Sequence, residues 1–255
     1  MGPNLHPSYV LHRRPYRETS LILELWSAEY GRVGVIARGG ARGRKRGGGI
    51  LQAFQQYQVS WSGRSELRTL VKCESVGPTL QLAGERLFSG FYVNELTMRM
   101  TTRQDPNPEL YSIYERTLSA LATTVEGIEP ILRRFEKSLL DACGYGLQLH
   151  CEGENGTAID PDKTYQYAIE QGPTLNGDGE YGVRVAGKTL LALSRMGEFQ
   201  STELHEAKKL MRYVLQHYIG DRPLASRTLF RKTPTKHQLP VESREPVVIS
   251  NSDTI

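Results

Sequence analysis

Residues 20–37 read Ser-Leu-Ile-Leu-Glu-Leu-Trp-Ser-Ala-Glu-Tyr-Gly-Arg-Val-Gly-Val-Ile-Ala: two apolar runs separated by a turn around Gly31. Runs of this length, rich in β-branched and aromatic residues and joined by so short a turn, predict a β-hairpin. Three more stretches have strand character, at 9–11, 54–61 and 66–76. Several short strands close together predict a small closed barrel of the OB-fold type, with an SH3-like barrel as the alternative. We assign residues 1–80 to this domain.

A cationic, glycine-rich segment interrupts these strands. Residues 38–49 read Arg-Gly-Gly-Ala-Arg-Gly-Arg-Lys-Arg-Gly-Gly-Gly, and no Asp or Glu occurs from residue 30 to residue 65. The P-loop spacing is absent, because Lys45 is followed by Arg46 and not by Ser or Thr. Flexible backbone with long cationic side chains favours binding to the phosphates of a nucleic acid, although a merely solvated segment is the alternative. The candidate residues are Arg38, Arg42, Arg44, Lys45 and Arg46.

Aromatic residues accompany this charge and could stack on nucleic-acid bases. Strand alternation allows only a subset of them to face solvent, and such residues are more often core. The candidates are Trp26, Tyr30, Phe54, Tyr57 and Trp61.

From Gly84 onward the apolar period changes to that of helices. We predict one helix from Gly84, a second capped by Asn107, a third opened by Pro130, and a fourth capped by Ser201 or Thr202. These form a helical domain over residues 81–148 and 198–232. Two of the helices carry cations beside their apolar faces: Arg133, Arg134 and Lys137 on the third, and Lys208, Lys209 and Arg212 on the fourth. Exposure to solvent explains these cations as well as a binding function does.

Residues 149–197 lose the helical period and predict an inserted small lobe, with strands at 165–169, 181–185 and 189–193. Residues 233–255 are polar and proline-rich, which predicts disorder.

Metal binding and catalysis are not expected. His150 and Cys151 offer two ligands where structural zinc needs four, and the carboxylates are scattered. Three cysteines leave an odd thiol in any disulfide scheme, which favours a reducing cytoplasm. No apolar run is long enough to span a membrane, so we expect a cytoplasmic protein. Because the ligand set is incomplete and the carboxylates are scattered, we also expect no cofactor, no metal and no enzymatic activity.

The chain resembles the RecO family of bacterial recombination mediators from residue 9 to about residue 230. Order and spacing together carry the resemblance. The matching stretches are 10–21 (Val-Leu-His-Arg-Arg-Pro-Tyr-Arg-Glu-Thr-Ser-Leu), 31–33, the basic segment ending at 51–54, 92–96 (Tyr-Val-Asn-Glu-Leu), 132–140 (Leu-Arg-Arg-Phe-Glu-Lys-Ser-Leu-Leu), 144–146 and 222–230 (Arg-Pro-Leu-Ala-Ser-Arg-Thr-Leu-Phe).

The resemblance implies an α+β multidomain protein with an OB-fold barrel, a helical domain and an inserted zinc-ribbon-like lobe at 149–197. Some relatives carry four zinc cysteines in that lobe. This chain keeps only Cys151, so the lobe looks degenerate and metal-free.

The resemblance also implies binding of single- and double-stranded DNA near the nucleoid, annealing of complementary strands, and cooperation with RecR in loading RecA. A further implied partner is the acidic C-terminal tail of single-stranded-DNA-binding protein, docked on the helical domain. Arg13 and Arg32 join the DNA-binding candidates, and the tail-binding candidates are Arg133, Arg134, Phe88, Tyr92 and Leu132. An RNA- or ribosome-associated OB-fold protein is the alternative function, and a metal-dependent nuclease is a weaker one.

Overall fold

The N-terminal strands close into a five-stranded barrel. The structure, a computed structural model, describes residues 4–39, 51–125, 127–175 and 181–231. The barrel strands are β1 (His6–Tyr16), β2 (Ser20–Ser27), β3 (Gly31–Ala37), β4 (Gln56–Ser62) and β5 (Leu67–Val76). Their order is β1-β2-β3-β5-β4, with β1 pairing back onto β4 and with β3 and β5 parallel. The predicted barrel is confirmed.

Strand β2 is buried on both faces. Leu23 and Leu25 point into the barrel core, whereas Trp26 belongs to the larger cluster shared with the helices. The helical region therefore covers one outer face of the barrel. Trp26 is fully buried and Phe54 nearly so, which removes both from the set of aromatic residues that could stack on bases.

Three long helices follow the barrel: α1 (Gly84–Met100), α2 (Pro108–Thr123) and α3 (Ile128–Ala142). The predicted cap of α2 is confirmed, because Asn107 Oδ1 accepts a hydrogen bond from the Leu110 amide at 2.8 Å. Helix α3 begins two residues before Pro130. Helix α1 lies against the barrel, where Asn94 donates from Nδ2 to the carbonyl of Leu11 at 3.0 Å. The hydroxyl of Tyr114 on α2 donates to Asn94 Oδ1 at 2.7 Å, so one buried amide joins three elements.

The inserted region holds a small antiparallel sheet in the order β7-β6-β8, formed by β6 (Thr164–Ala168), β7 (Gly172–Thr174) and β8 (Val183–Ala186). The predicted strand at 189–193 is wrong, because these residues lie in helix α4 (Gly187–Arg195). Leu190 and Leu193 are buried three residues apart, as one helical face requires. The zinc-ribbon-like character of this lobe stays a prediction.

Helices α5 (Ser201–Ile219) and α6 (Ser226–Arg231) complete the helical region. The predicted caps of α5, Ser201 or Thr202, are wrong. The cap is Gln200, whose backbone amide donates to Glu203 Oε2 at 2.8 Å. Helix α6 is fixed to α1 through Glu95, which accepts from the amide and the hydroxyl of Ser226 at 2.8 and 2.7 Å. The tail at 233–255, for which disorder is predicted, lies outside the described residues.

Candidate nucleic-acid interface

Exposed arginines collect at one end of the barrel. Tyr16 pairs with Ser20 across the β1–β2 turn, and Leu21 pairs with Ala37 at the end of β3. Neighbouring strands lie about 4.8 Å apart, so the tips of β1, β2 and β3 fall within about 10 Å of one another. The exposed side chains at these tips include Arg14, Arg17 and Arg38. Residues 40–50 connect this same end to Leu51.

Arg13 lies at the point where that connection returns. Its side chain is exposed, and Nη1 donates to the carbonyl of Leu51 at 3.3 Å. Arg13 therefore joins β1 to the residue that follows the basic segment. The other predicted phosphate ligands, Arg42, Arg44, Lys45 and Arg46, lie outside the described residues.

Arg32 has a different environment. Its Nε donates to Glu24 Oε1 at 2.8 Å, and its Nη1 donates to the carbonyls of Met98 and Thr101. Arg103 completes the cluster by donating to both oxygens of Glu24, at 3.0 and 2.7 Å. Arg32 thus joins the barrel to the end of α1 through donors already engaged within the chain. Its predicted phosphate contact stays a prediction.

Glu24 is the buried anion that organises this junction. Burial by itself would raise the pKa of Glu24, but the guanidiniums of Arg103 and Arg32 together hold that pKa below its ordinary value. The sequence carried a signal for this pairing, since Glu24 is the one carboxylate in the apolar run of β2. A buried carboxylate requires a cationic partner, and Arg32, eight residues further on in the next strand, is such a cation.

Three rings form a cluster at the opposite end of the barrel. His6, Tyr30 and Trp61 have ring centroids 4.6 to 5.4 Å apart, and the Arg68 guanidinium lies 5.8 Å from the Trp61 ring. Tyr30 is 38% exposed, whereas Tyr57 is buried. Because Tyr30 precedes β3 and Arg38 follows it, the rings and the arginines are separated by the length of that strand, about 20 Å.

The predicted tail-binding residues lie mostly inside the helical region. Arg133 is 4% exposed and its Nη2 pairs with Glu136 Oε1 at 2.6 Å; the same oxygen accepts from the Tyr92 hydroxyl at 2.7 Å. Burial raises the pKa of Glu136 even though Arg133 lies against it. Leu132 is also buried. These three predicted residues therefore form part of the core of the helical region.

Two members of that set lie closer to the surface. Phe88 is half-buried and packs edge-on against Phe230 of α6, with ring centroids 5.7 Å apart. Arg134 is also half-buried, and its Nε donates to the carbonyl of Met196 at 3.2 Å. The structure thus separates the five predicted residues into a buried group and a more accessible pair.

Two family models match this chain, one over the barrel and the other over the region that follows it. Residues 5–79 match the family described as Recombination protein O N terminal, and residues 81–228 match Recombination protein O C terminal. The chain belongs to the RecO family. The boundary between the two matches falls between β5 and α1, where the barrel gives way to helices. None of the described helices is both long and apolar enough to cross a membrane.

Similar proteins span nearly the same length. The chain is 48% identical over 230 residues to a DNA repair protein RecO of Methylococcus capsulatus, covering 90% of this chain and 93% of that protein. Identity to the protein of the same name from Alkalilimnicola ehrlichii is 46%, covering 89% of this chain and 91% of the relative. For Nitrosospira multiformis the corresponding values are 42%, 89% and 94%. The RecO resemblance seen in the sequence is confirmed.

Proposed function

We propose that this RecO-family chain is a DNA-binding recombination mediator in recombinational repair. It binds single- and double-stranded DNA, anneals complementary strands, and with RecR helps to load RecA onto DNA covered by single-stranded-DNA-binding protein. Its action is binding and not catalysis, and it works in the cytoplasm at the nucleoid.

The arginine-rich barrel end is the observation that carries this proposal. Arg14, Arg17 and Arg38 are exposed together where the basic segment at 40–50 joins the barrel. Glu18 is the only carboxylate in the β1–β2 turn. A surface of this composition neutralises phosphates and releases their counterions, which supplies affinity without reading sequence. The same neutralisation lets two strands approach each other, as annealing requires.

Salt dependence tests the role of the basic segment. If Arg42, Arg44, Lys45 and Arg46 each neutralise one phosphate of a single strand, together they contribute a slope of about −3 to log K against log salt concentration. Replacing all four by Ala should remove that contribution. The matched control, Arg42→Lys with Arg44→Lys and Arg46→Lys, keeps the charge and should keep the slope. An unchanged slope in the Ala variant would remove the segment from the proposed interface.

Direct competition separates DNA from RNA as the ligand. Single-stranded DNA and RNA oligomers of the same sequence are titrated against one labelled DNA strand. The proposal requires DNA to compete at least as well as RNA. A strong preference for RNA would support the alternative function of an RNA- or ribosome-associated protein.

We further propose that the helical region docks the acidic tail of single-stranded-DNA-binding protein beside Phe88 and Arg134. An acidic peptide ending in an apolar residue needs a guanidinium for its carboxylates and an aromatic ring for its apolar end. Arg133, Tyr92 and Leu132 are buried in the same helical region and are not assigned a direct contact with the peptide.

The burial of Arg133 dictates how this docking is tested. Arg133→Ala would leave Glu136 buried without its cation, which costs about 3–5 kcal/mol of stability and obscures any binding effect. Arg134→Ala should instead weaken binding of a peptide bearing that tail while the unfolding midpoint changes little. Arg116→Ala, at an exposed position of α2, is the control and should bind the peptide normally. Unchanged peptide affinity in Arg134→Ala would place the docking surface elsewhere.

A further inference from the structure

A second basic surface lies on helices α4 and α5 and on strand β8. Its exposed cations are Arg184, Lys188, Arg195, Lys209 and Arg212. Among the residues that the structure describes, none of these five pairs with a carboxylate. Lys208, beside them in sequence, is in contrast paired with Glu129 of α3.

The carboxylates of the same elements point inward or are engaged. Between residues 184 and 217 the acids are Glu198, Glu203 and Glu206. Glu203 is buried in the cap of α5. Glu206 accepts from the amide of Ala186 at 3.1 Å and from the hydroxyl of Thr189 at 2.6 Å. Only Glu198, in the α4–α5 connection, is exposed. The outside of β8, α4 and α5 therefore carries more positive than negative charge, with the exposed Asp162 at its edge, where the Pro161 carbonyl accepts from the Lys188 amide at 3.2 Å.

The Glu206 contacts also fix the start of α4 against α5. They dock the start of α4, where Lys188 lies, against α5 one turn before Lys209. On α5 the exposed residues His205, Lys209, Arg212 and Gln216 follow spacings of four, three and four, so they share one face. This face is about 16 Å long, comparable to five phosphate steps of one strand.

The composition of this surface favours nucleic acid over protein. Among the described residues of β8, α4 and α5, no large apolar side chain is exposed. Protein interfaces depend on buried aromatic and aliphatic anchors, whereas phosphate backbones need only well-placed cations. The surface is also separate from the barrel, since α4 and β8 pack on α5 while the barrel packs on α1.

We propose that this α4–α5 surface binds the phosphate backbone of a second DNA strand while the barrel holds the first. One chain then keeps two strands close together, which raises their effective concentration for annealing. The residues of the α4–α5 surface are distinct from those of the proposed barrel interface, so either surface can fail without the other.

Binding stoichiometry tests the proposal. A 12-nucleotide single strand in excess, observed by native mass spectrometry, should bind the full chain at two per protein. Lys209→Glu with Arg212→Glu should bind one, because the second event weakens at least about tenfold. Arg116→Glu with Arg222→Glu changes the net charge equally at exposed positions on other elements, and should still bind two. The unfolding midpoints of both variants are measured to show that they fold.

Three results would overturn the second site. The unaltered chain could bind one strand, the Lys209→Glu, Arg212→Glu variant could still bind two, or the Arg116→Glu, Arg222→Glu control could lose the second strand equally. Polyglutamate that displaces the second strand as well as DNA does would reassign the surface to an acidic protein. Failure of the barrel proposal looks different, since Arg14→Glu with Arg38→Glu would then leave the first binding event unchanged.

Discussion

Glu24 shows how a single buried charge joins the barrel to the helices. Its two oxygens accept from Arg32 on the neighbouring strand and from Arg103 in the α1–α2 connection. Removing the charge leaves both guanidiniums without their anion. We expect Glu24→Gln to lower the free energy of unfolding by about 2–3 kcal/mol at pH 7.

The effect of Glu24→Gln should depend on pH in a defined direction. The pKa of Glu24 is lowered in the folded chain, so its carboxylate stabilises the fold above the unfolded pKa of about 4.3. That contribution is lost as the pH falls through the folded pKa. Denaturant unfolding at pH 7 and below pH 4 should therefore show the free energies of unfolding of the parent and of Glu24→Gln converging in acid. Glu18→Gln, at an exposed turn, should show no such difference; equal stabilities of Glu24→Gln and the parent at pH 7 would contradict this role.

Tyr30 tests whether the ring cluster contributes to binding of single strands. Its exposed ring can stack on a base, which is worth about 1–3 kcal/mol. Tyr30→Ala should weaken single-strand binding at least about fivefold and affect duplex binding less, because duplex bases are already stacked. Fluorescence anisotropy with both DNAs measures this, with the exposed Val71→Ala as the control. Equal losses for both DNAs would indicate that Tyr30 does not contact bases.

At the scale of elements, Gly90 allows α1 to approach the barrel closely. A Cβ at this position would lie 2.8 Å from the Phe54 ring and from Leu82 Cδ1. These neighbours line a groove of about 490 Å³ between the barrel and α1, whose rim includes Arg13. Helical propensity alone would favour Ala by about 1 kcal/mol, but overpacking costs about 1–3 kcal/mol.

We therefore expect Gly90→Ala to destabilise the chain by up to about 2 kcal/mol in denaturant unfolding. Ser112→Ala, at an exposed position of α2, isolates the propensity term and should be neutral or slightly stabilising. A more stable Gly90→Ala variant would contradict the claim that Gly90 is required for close packing against Phe54 and Leu82.

The elements that sequence predicts well are those whose signals are local. The barrel strands, the Asn107 cap and the long apolar stripes of α1 and α2 depend on neighbouring residues. Thr189–Leu193 was predicted as a strand because a short apolar run has no decisive period. Its helical state depends on docking against α5 through Glu206, a contact made across 17 residues.

The residues of the candidate site also differ in whether local sequence or a distant contact determines their exposure. Exposure of Arg38 follows from its place at a strand end, and the basic segment is visible in the sequence itself. Arg14 and Arg17 are not among the sequence candidates, because only the pairing of β1, β2 and β3 brings them to the same end of the barrel. Burial of Arg133, Tyr92 and Trp26 does not follow from local sequence, because each is covered by an element distant in sequence. A basic residue beside a helical core resembles a binding residue until its buried partner, here Glu136, is known.

For the whole molecule, a net charge of +4 understates how unevenly the charges are arranged. Among the residues that the structure describes, paired cations such as Arg32, Arg103 and Arg133 hold the fold together. Exposed cations without a carboxylate partner include those of the barrel end and of the α4–α5 surface. This separation lets a mildly basic protein bind a polyanion.

The slope of log K against log salt concentration for a single-stranded oligomer tests the central claim, that the arginine-rich end of the barrel holds DNA backbone. It is measured in the Lys209→Glu, Arg212→Glu background, which leaves the barrel as the proposed interface. Adding Arg14→Ala and Arg38→Ala should reduce the magnitude of the slope by about 1.4, the contribution of two single-strand phosphates. Adding Arg116→Ala and Arg222→Ala should leave it unchanged. The claim would be contradicted if both pairs of substitutions gave the same slope, or if Arg116→Ala with Arg222→Ala reduced its magnitude more than Arg14→Ala with Arg38→Ala did.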